Sequence, residues 1–216
     1  MPGFVYFDGA AILTYGSTSA AGSIGTPVSF AGMTFPGTAD ATRIIVVAVR
    51  TRVLTLPTAV TIGGVGATLV VQHGNSLWKC QLWAAVVPTG ASGTVTVSGH
   101  SLNSLAADNY MAVSTYAING AASSTAASTG MDLSTGTINL TVPVGGCVIG
   151  AVSAQNNVDI TWTNVTEDPG EGYLSGFFAT TGVRYSHASA GELAGGVLAV
   201  TCAPSGTFVF VAAAWS

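Results

Sequence analysis

The alternation of polar and apolar residues is the feature that most limits how this chain can fold. In residues 94–97, 137–142 and 159–163 every second residue is apolar, and the residues between them are threonine, asparagine or aspartate. Successive side chains of a β-strand point to opposite faces, so this pattern indicates strands with one buried face and one wet face. No stretch of the chain shows the apolar repeat of about 3.6 residues that is typical of a helix.

Continuous apolar runs complement the alternating segments. They lie at residues 43–49, 147–152, 196–200 and 207–215, and we expect them to form central strands that are buried on both faces. Glycine, proline and asparagine separate the runs, as they do in turns between strands. The sequence therefore predicts an all-β protein, an antiparallel β-sandwich or jelly roll.

Charged residues are scarce in this chain. Only 6% of the 216 residues are Asp, Glu, Lys or Arg, against about 25% in an ordinary soluble domain. The hydrophobic content of 49% argues against a disordered chain, and the apolar runs are far shorter than the roughly 20 residues of a membrane-spanning helix. Five basic residues and a net charge of −4 cannot neutralise a nucleic-acid backbone. We therefore expect neither membrane insertion nor nucleic-acid binding.

The domain organisation is predicted from a shift in composition. Residues 120–136 are rich in small residues, and we interpret them as a linker between two halves, 41–119 and 137–216, of a single β-sandwich over 41–216. The halves share a faint repeat of strand and turn, which indicates either an internal duplication or the spacing found in any sandwich. Residues 1–40 form either a docking arm or the first strands.

Two features bear on the cellular setting. Cys80, Cys147 and Cys202 lie far apart inside apolar runs, which predicts buried thiols rather than a disulfide or a metal site. The N-terminal residues lack the basic start and apolar core of a signal peptide. We therefore expect synthesis in the cytoplasm.

Motifs of catalysis are missing from the sequence. There is no Gly-x-Ser-x-Gly nucleophile elbow and no phosphate-binding or dinucleotide-binding loop. Ser101, His100 and Asp108 could be combined into a triad, but a serine-rich chain offers such a set by chance. His100, like His73 and His187, stands beside Gly or Ser in a turn-like context, which predicts an exposed histidine. We expect the protein not to be an enzyme.

One acidic cluster is the candidate binding site. Four of the nine carboxylates fall in a short span around the turn at residues 168–170, together with two aromatic residues. Such a cluster could bind Ca²⁺, bind a saccharide beside an aromatic platform, or act as the carboxylate pair of a glycosidase. A solvated hairpin tip is the alternative, because a protein with few charges places them at the surface. The candidate residues are Asp159, Glu167, Asp168, Glu171, Trp162 and Tyr173.

Three arginines flank one apolar run. Arg43, Arg50 and Arg52 stand at the two ends of the segment 44–49. Charges in such positions protect an edge strand from pairing with another chain. An ion pair between subunits is the functional alternative.

The scarcity of charge also bears on assembly. The surface of a chain with so few charges consists largely of Ser, Thr, Gly, Ala and Asn, and little electrostatic repulsion keeps copies of the chain apart. Buried charges cost several kcal/mol each unless they are paired, whereas small neutral side chains are buried at little cost. We therefore expect a homo-oligomer, and as a second use of this surface, contact with a neutral polysaccharide.

Several segments resemble a known module. Residues 43–49, 60–69, 82–90, 93–98 and 110–120, followed by a last strand at 208–215, resemble a jelly-roll module of virion proteins from tailed bacteriophages and gene transfer agents. The module also occurs in some secreted bacterial proteins, and the resemblance covers residues 40–216. It implies a structural protein of a particle, of the head-spike, capsid-decoration or tail-adhesin type. Members of this kind share no catalytic residues.

These observations lead to one expected function and two alternatives. We expect a non-enzymatic structural protein of a virion, made in the host cytoplasm, that binds copies of itself and other virion proteins and contacts host surface polysaccharide. No cofactor is expected, and Ca²⁺ is the one ion that the acidic cluster could hold. The first alternative is a free bacterial carbohydrate-binding or adhesive module. The second is a glycan-active enzyme that uses Glu167 or Glu171 with another carboxylate.

Overall fold

The computed structural model describes residues 10–22, 24–104, 109–155, 158–174, 183–204 and 206–216, with only the backbone of 173 and 174. Within these ranges every regular element is a β-strand, so the predicted all-β fold is confirmed. The strands are β1 (Ile12–Gly22), β2 (Val28–Thr34), β3 (Ile44–Arg52), β4 (Ala59–Ile62), β5 (Val65–Gly66), β6 (Thr68–Gly74), β7 (Trp78–Val86), β8 (Ser92–Ser98), β9 (Tyr110–Asn119), β10 (Ser128–Asp132), β11 (Thr137–Val142), β12 (Gly146–Gln155), β13 (Ile160–Thr163), β14 (Thr166–Glu167), β15 (Gly172–Leu174), β16 (Val183–Leu193), β17 (Gly196–Pro204) and β18 (Phe208–Trp215).

The first nine strands form two antiparallel sheets. The first inner sheet has the order β1-β9-β3-β7-β6, and the first outer sheet has the order β2-β8-β4-β5. Strand β3 pairs with β9 and with β7 over its whole length. A chain that passes back and forth between two sheets, with its first and last strands side by side, has the jelly-roll topology.

The last nine strands repeat this arrangement. The second inner sheet has the order β10-β18-β12-β16-β14, with β15 also paired to β16, and the second outer sheet has the order β11-β17-β13. The strands of the inner sheets correspond one to one, from β1 and β10 at one edge to β6 and β14 at the other, and β11, β17 and β13 correspond to β2, β8 and β4. Strands β5 and β15 have no counterpart among the described strands. The chain therefore contains two jelly rolls in tandem.

The four sheets stack as four layers. One hydrophobic core lies between the two inner sheets and includes Val46, Leu82, Ile149, Val211 and Trp215. A second core joins the first outer sheet to the first inner sheet, and a third joins the second inner sheet to the second outer sheet. The order from one surface to the other is outer, inner, inner, outer.

This layer order explains both sequence patterns. Strands β3, β9, β12 and β18 are buried along their whole or nearly whole length because another sheet covers each of their faces. Strands of the outer sheets, such as β11, alternate between buried and exposed residues. Residues 196–200 lie in a central strand, because β17 stands between β11 and β13, but the prediction that both of its faces are buried is wrong, since β17 belongs to the second outer sheet and its Val197 is 76% exposed. An apolar residue on a wet face cannot be told from a buried one by pattern alone.

The structure divides the chain differently from the single sandwich over 41–216. Residues 41–119 and 137–216 each supply two sheets, and the segment 120–136 holds strand β10, which pairs with β18. In the N-terminal region, β1 pairs with β9 and β2 pairs with β8 of the same chain, while residues 1–9 lie outside the described part. Pattern reveals strands but not their partners, because pairing depends on residues distant in sequence.

The prediction that the three cysteines are buried is confirmed. Cys80, Cys147 and Cys202 are free, buried thiols, and burial raises the pKa of both Cys80 and Cys147 to about 12. In the described ranges, no helix long and apolar enough to cross a membrane is found.

Candidate functional site

The acidic span lies on the side of the second roll where β13, β14 and β15 follow one another. Glu167 ends β14, and Asp168 begins the turn that leads to β15. Neighbouring residues of an extended strand point to opposite faces. Glu167 therefore faces the second outer sheet, and Asp168 faces the first roll.

Glu167 belongs to a small polar group between the second inner and outer sheets. Its Oε1 accepts a short hydrogen bond from Ser186 Oγ, and Ser186 Oγ accepts one from Trp162 Nε1 at 2.8 Å. Burial raises the pKa of Glu167, and the nearby Glu171 carboxylate adds to this, while the bond from Ser186 opposes it. Glu171 Oε1 in turn pairs with Arg184 NH2 at 2.7 Å.

Trp162 is not an open platform. Its ring packs against Phe210 in an edge-on arrangement, with centroids 5.6 Å apart. The ring also covers Gly150, where an added Cβ would lie 3.0 Å from Trp162 Cζ3. Asp159 is exposed just before β13, and the side chain of Tyr173 lies outside the described residues. The structure therefore joins Glu167, Trp162 and Glu171 in one group and leaves Asp159 apart.

Asp168 is held by groups from both rolls. Its Oδ2 accepts a hydrogen bond from Tyr116 Oη at 3.0 Å, and its Oδ1 accepts one from Ser189 Oγ at 3.1 Å. Tyr116 lies in β9 of the first roll, and Ser189 lies in β16 of the second. The Asp168 carboxylate thus bridges the two inner sheets.

His187 is the centre of the same interface. Its Nδ1 lies 2.6 Å from Tyr116 Oη, and its Nε2 lies 3.0 Å from Thr18 Oγ1. The ring stacks on Tyr15, with centroids 5.4 Å apart. Burial lowers the pKa of His187 to about 4, and the Arg50 charge adds to this, while Asp168 opposes it. The imidazole is therefore neutral at neutral pH.

A directed chain of hydrogen bonds follows from these contacts. Arg50 NH2 donates to Ser114 Oγ at 2.6 Å, and Ser114 Oγ makes a short contact with Thr18 Oγ1. A hydroxyl has one proton to donate. Tyr116 Oη donates its proton to the Asp168 carboxylate, so it accepts from His187 Nδ1, which carries the one ring proton of the neutral imidazole. His187 Nε2 therefore accepts from Thr18, and Thr18 in turn accepts from Ser114, which accepts from Arg50.

The chain links a buried cation of the first roll to a carboxylate of the second. Thr18 Oγ1 also accepts from Tyr15 Oη at 3.0 Å, so its donor and both of its acceptor positions are used. A hydroxyl hydrogen-bonded to a neutral imidazole is the arrangement that activates nucleophiles. Thr18 is covered by Gly170, however, since a Cβ added to Gly170 would lie 2.7 Å from Thr18 Cβ. The arrangement ties the two rolls together.

Sequence reasoning missed this interface. The prediction of exposed histidines is wrong for His187 and His100, which are buried. The edge-protection hypothesis for the arginines is wrong as well, because β3 is central in its sheet and Arg43, Arg50 and Arg52 are buried. The alternation within β16 indicates that His187 is buried, since it places His187 on the same face as Val183 and Tyr185. No local pattern indicates contact with Thr18.

The other candidate sets can be placed as well. His100 Nε2 contacts the Gly25 carbonyl at 3.1 Å, and the Ser101 backbone N–H donates to Thr55 Oγ1 at 2.8 Å, while Asp108 lies outside the described residues. Among the residues whose positions are described, no three His, Cys, Asp or Glu side chains are grouped so that they could hold a metal ion.

Comparisons with family models, with curated proteins and with solved structures give no match to this chain.

Proposed function

We propose that this chain is a non-enzymatic structural protein of a phage-like particle, of the head-spike, capsid-decoration or tail-tip type, that assembles into a homo-oligomer. The observation that carries the proposal is the composition of the two outer sheets. Their strands β2, β4, β5, β8, β11, β13 and β17 contain no Asp, Glu, Lys or Arg. Both broad faces of the molecule can therefore be covered by another protein without the cost of burying an unpaired charge.

The outward positions of these strands carry hydroxyls instead. Ser29 Oγ and Thr96 Oγ1 pair across β2 and β8 at 3.0 Å, and Thr137 Oγ1 and Thr201 Oγ1 pair across β11 and β17 at 3.1 Å. The two pairs join corresponding strands of the two rolls. Rows of hydroxyls suit close packing between neutral surfaces, and they also offer hydrogen bonds to a neutral glycan. Contact with host surface polysaccharide is therefore part of the proposal.

One edge of the molecule adds exposed apolar side chains. Val197, Val144 and Ile12 are 76%, 61% and 57% exposed. The Ala11 N–H donates to the Gly145 carbonyl at 3.0 Å, and an added Cβ on Gly195 would lie 2.8 Å from Val144, so the three segments adjoin. Exposed apolar side chains on adjoining segments suit a protein–protein contact.

Mass spectrometry of purified particles tests the proposal. Particles from the source culture are treated with nuclease and purified on a density gradient, and the amount of this chain is measured relative to the major capsid protein. A fixed stoichiometry is expected, and its value separates a capsid-wide decoration from a spike or a tail tip. A chain that is absent from particles and soluble in the medium would instead favour the free carbohydrate-binding module.

The enzyme alternative has its own test. Purified protein is incubated with polysaccharides from the host surface, and release of reducing ends is followed. No release is expected. Hydrolysis that is lost in Glu167→Gln and Glu171→Gln, but kept in Asp159→Asn, would overturn the non-enzymatic proposal.

A further inference from the structure

A cleft opens at one end of the interface between the two rolls. Its volume is about 180 Å³, and it is lined by residues 68–70 of β6, by residues 124–126 and by Thr129 of β10. Strand β6 is an edge strand of the first inner sheet, and β10 is an edge strand of the second. The two strands lie in contact. The cleft is therefore formed where the two inner sheets end side by side.

The opposite end of the same interface is filled by the chain's own side chains. The edge strands there are β1 and β14, which correspond to β10 and β6. Tyr15 of β1 stacks on His187, and Gly170, which follows β14, covers Thr18. None of the described residues that line the cleft is aromatic. Equivalent places in the two rolls are thus closed by side chains at one end and open at the other.

The floor of the cleft is aliphatic. The register of β6 on β7 shifts between Leu69 and Val71, so Val70 is the extra residue of a β-bulge. Bulges at sheet edges re-aim a side chain. Val70 packs against the core that both rolls share, and Ala126 packs against the same core from the other wall.

The wall contributed by the second roll is held in place by the last strand. The Ala127 N–H donates to the Ala214 carbonyl at 2.8 Å, and Trp215 Nε1 donates to the Ser124 carbonyl at 3.3 Å. Both bonds join residues 124–127 to the end of β18. Since the wall is already ordered, a ligand that binds there pays little conformational entropy.

Hydroxyl groups form the rim. Thr68, Thr125 and Thr129 are exposed. Thr129 lies directly opposite Ala213 in the pairing of β10 with β18, and residues that are directly opposite share a face of the sheet. Because Ala213 belongs to the core between the rolls, Thr129 faces the first roll across the cleft. None of the described lining residues is charged.

Size and chemistry together define the class of ligand. An apolar cavity of about 150 Å³ holds one benzene molecule, so about 180 Å³ accommodates one six-membered ring. A sugar in the pyranose form has apolar C–H faces and hydroxyl groups around its edge. Threonine and serine hydroxyls both donate and accept, as sugar hydroxyls do. A charged sugar would lose water here without gaining an opposite charge.

We propose that this cleft binds one neutral pyranose unit of a glycan, with the ring over Val70 and Ala126 and its hydroxyls bonded to Thr68, Thr125 and Thr129. The inference rests on the proposed function for the source of the sugar, which is the host surface. It places this contact between the rolls rather than on the outer sheets. The exposed rim lets the neighbouring sugar units extend into solvent.

Saturation-transfer NMR on the whole chain tests the cleft, and it works for a monomer and for an oligomer. The probes are the methyl glycosides of glucose, galactose, mannose and N-acetylglucosamine. We expect transfer to the ring protons of at least one of them. Glucuronate, the anionic counterpart of glucose, should give none. Absence of transfer to all four neutral sugars overturns the proposal.

Three variants locate the bound sugar. Thr129→Val removes one hydroxyl and should raise the Kd by roughly 3–10-fold, as expected for one lost hydrogen bond. Thr125→Phe places a ring at the rim and should abolish binding. Both positions are exposed, so neither change should unfold the protein. Thr96→Val is the matched control, because it makes the same change in the hydroxyl row of β8 and should leave the Kd unchanged.

The pattern across these variants decides where the sugar binds. Binding that is weakened in Thr96→Val and kept in Thr129→Val and Thr125→Phe overturns the cleft in favour of the outer sheets.

The result is separable from the test of the virion role. A chain that occurs in particles at fixed stoichiometry but binds none of the four sugars overturns the cleft alone. A chain that binds a neutral sugar in the cleft but is absent from particles supports the cleft and contradicts the virion role.

Discussion

The two jelly rolls share a strand order but divide the charged residues unequally. Four of the five basic residues lie in residues 1–119, and six of the nine acidic residues lie in 120–216. The arginines of the first roll are buried, two of them on the face of β3 toward the second roll. Of the six carboxylates of the second roll, three lie in connections and three lie in strands β10, β14 and β16. The same topology therefore accommodates two very different charge patterns.

This difference in charge indicates that the fold of each roll and the orientation of one roll on the other depend on different interactions. Both rolls obtain their strand order from apolar cores of similar make-up, and apolar contacts alone are not directional. The hydrogen-bond chain from Arg50 to Asp168 is directional, and it crosses the interface three times, from Thr18 to His187, back to Tyr116 and on to Asp168. We infer that this chain fixes how one roll sits on the other.

The largest expected effect comes from a charge placed in the core that both rolls share. Val211 lies in that core and is fully buried. Val211→Asp places an unpaired carboxylate there, and we expect a loss of more than about 4 kcal/mol in the free energy of unfolding. Urea titration followed by tryptophan fluorescence measures it, with Trp78 and Trp83 reporting on the first roll and Trp162 and Trp215 on the second.

The control for this prediction is Val197→Asp on the exposed face of β17. It should change the free energy of unfolding by less than about 0.5 kcal/mol. If Val211→Asp abolishes only the transition of the second roll, the two rolls are independent, and the interface has no part in the stability of the first.

The second prediction concerns pH and the polar part of the interface. The pKa of His187 is about 4 in the folded chain, against an ordinary value of 6.5. Between these values the unfolded chain binds more protons than the folded one, so stability falls as pH decreases from about 6.5 to 4. The side chains that contact His187 are Tyr15, Thr18, Tyr116 and Asp168. The charges of Arg50 and Glu171 also act on its pKa. We expect His187 to contribute about 3 kcal/mol to this loss.

Urea midpoints measured from pH 4 to 7 check this contribution. The slope should flatten in His187→Gln and remain in His73→Gln. A slope that is the same in wild type and His187→Gln would contradict a buried neutral imidazole between the rolls.

The third prediction removes one atom from the chain of hydrogen bonds. Tyr116→Phe keeps the ring but deletes the donor to Asp168 and the acceptor for His187, and we expect a loss of about 1–3 kcal/mol in the free energy of unfolding. A double-mutant cycle with Asp168→Asn isolates the contact, and its coupling energy should exceed about 0.5 kcal/mol. Additive losses would show that Tyr116 and Asp168 do not support each other across the interface.

The fold class could be predicted because it depends on local periodicity. Alternation revealed the outer strand β11, and continuous apolar runs revealed the inner strands β3 and β18. One sandwich and two tandem sandwiches have the same local periodicity, so the sequence could not decide between an internal duplication and a single sandwich. Only the pairing of β10 with β18 and of β1 with β9 distinguishes them.

The candidate site was predicted only in part, for a related reason. Composition located the acidic span, but adjacent carboxylates such as Glu167 and Asp168 point to opposite faces, and one of them enters the interface between the rolls. Its partners there, Tyr116 and His187, are contributed by different rolls. His187 and Thr18 are 169 residues apart, and no composition or spacing signals such a contact.

The smallest expected effect is the contribution of Glu167 to stability, which falls as pH rises, whereas that of His187 falls as pH decreases. The pKa of Glu167 is raised, chiefly by burial and further by Glu171, so the folded chain binds more protons than the unfolded one just above the ordinary pKa. The stability contributed by Glu167 is therefore lost as pH rises through that window. Glu167→Gln keeps an acceptor for Ser186 and removes the charge. We expect it to stabilise the protein at pH 7, by less than about 1 kcal/mol because solvent screens this side chain.

Urea midpoints at pH 4 and pH 7 show whether Glu167→Gln stabilises or destabilises the protein at each pH. Asp159→Asn is the exposed control and should change neither midpoint. Destabilisation of Glu167→Gln at pH 7 would mean that the carboxylate is needed in its charged form. The group formed by Glu167, Ser186 and Trp162 would then be a polar anchor of the second roll, comparable to the chain that Asp168 completes between the two rolls.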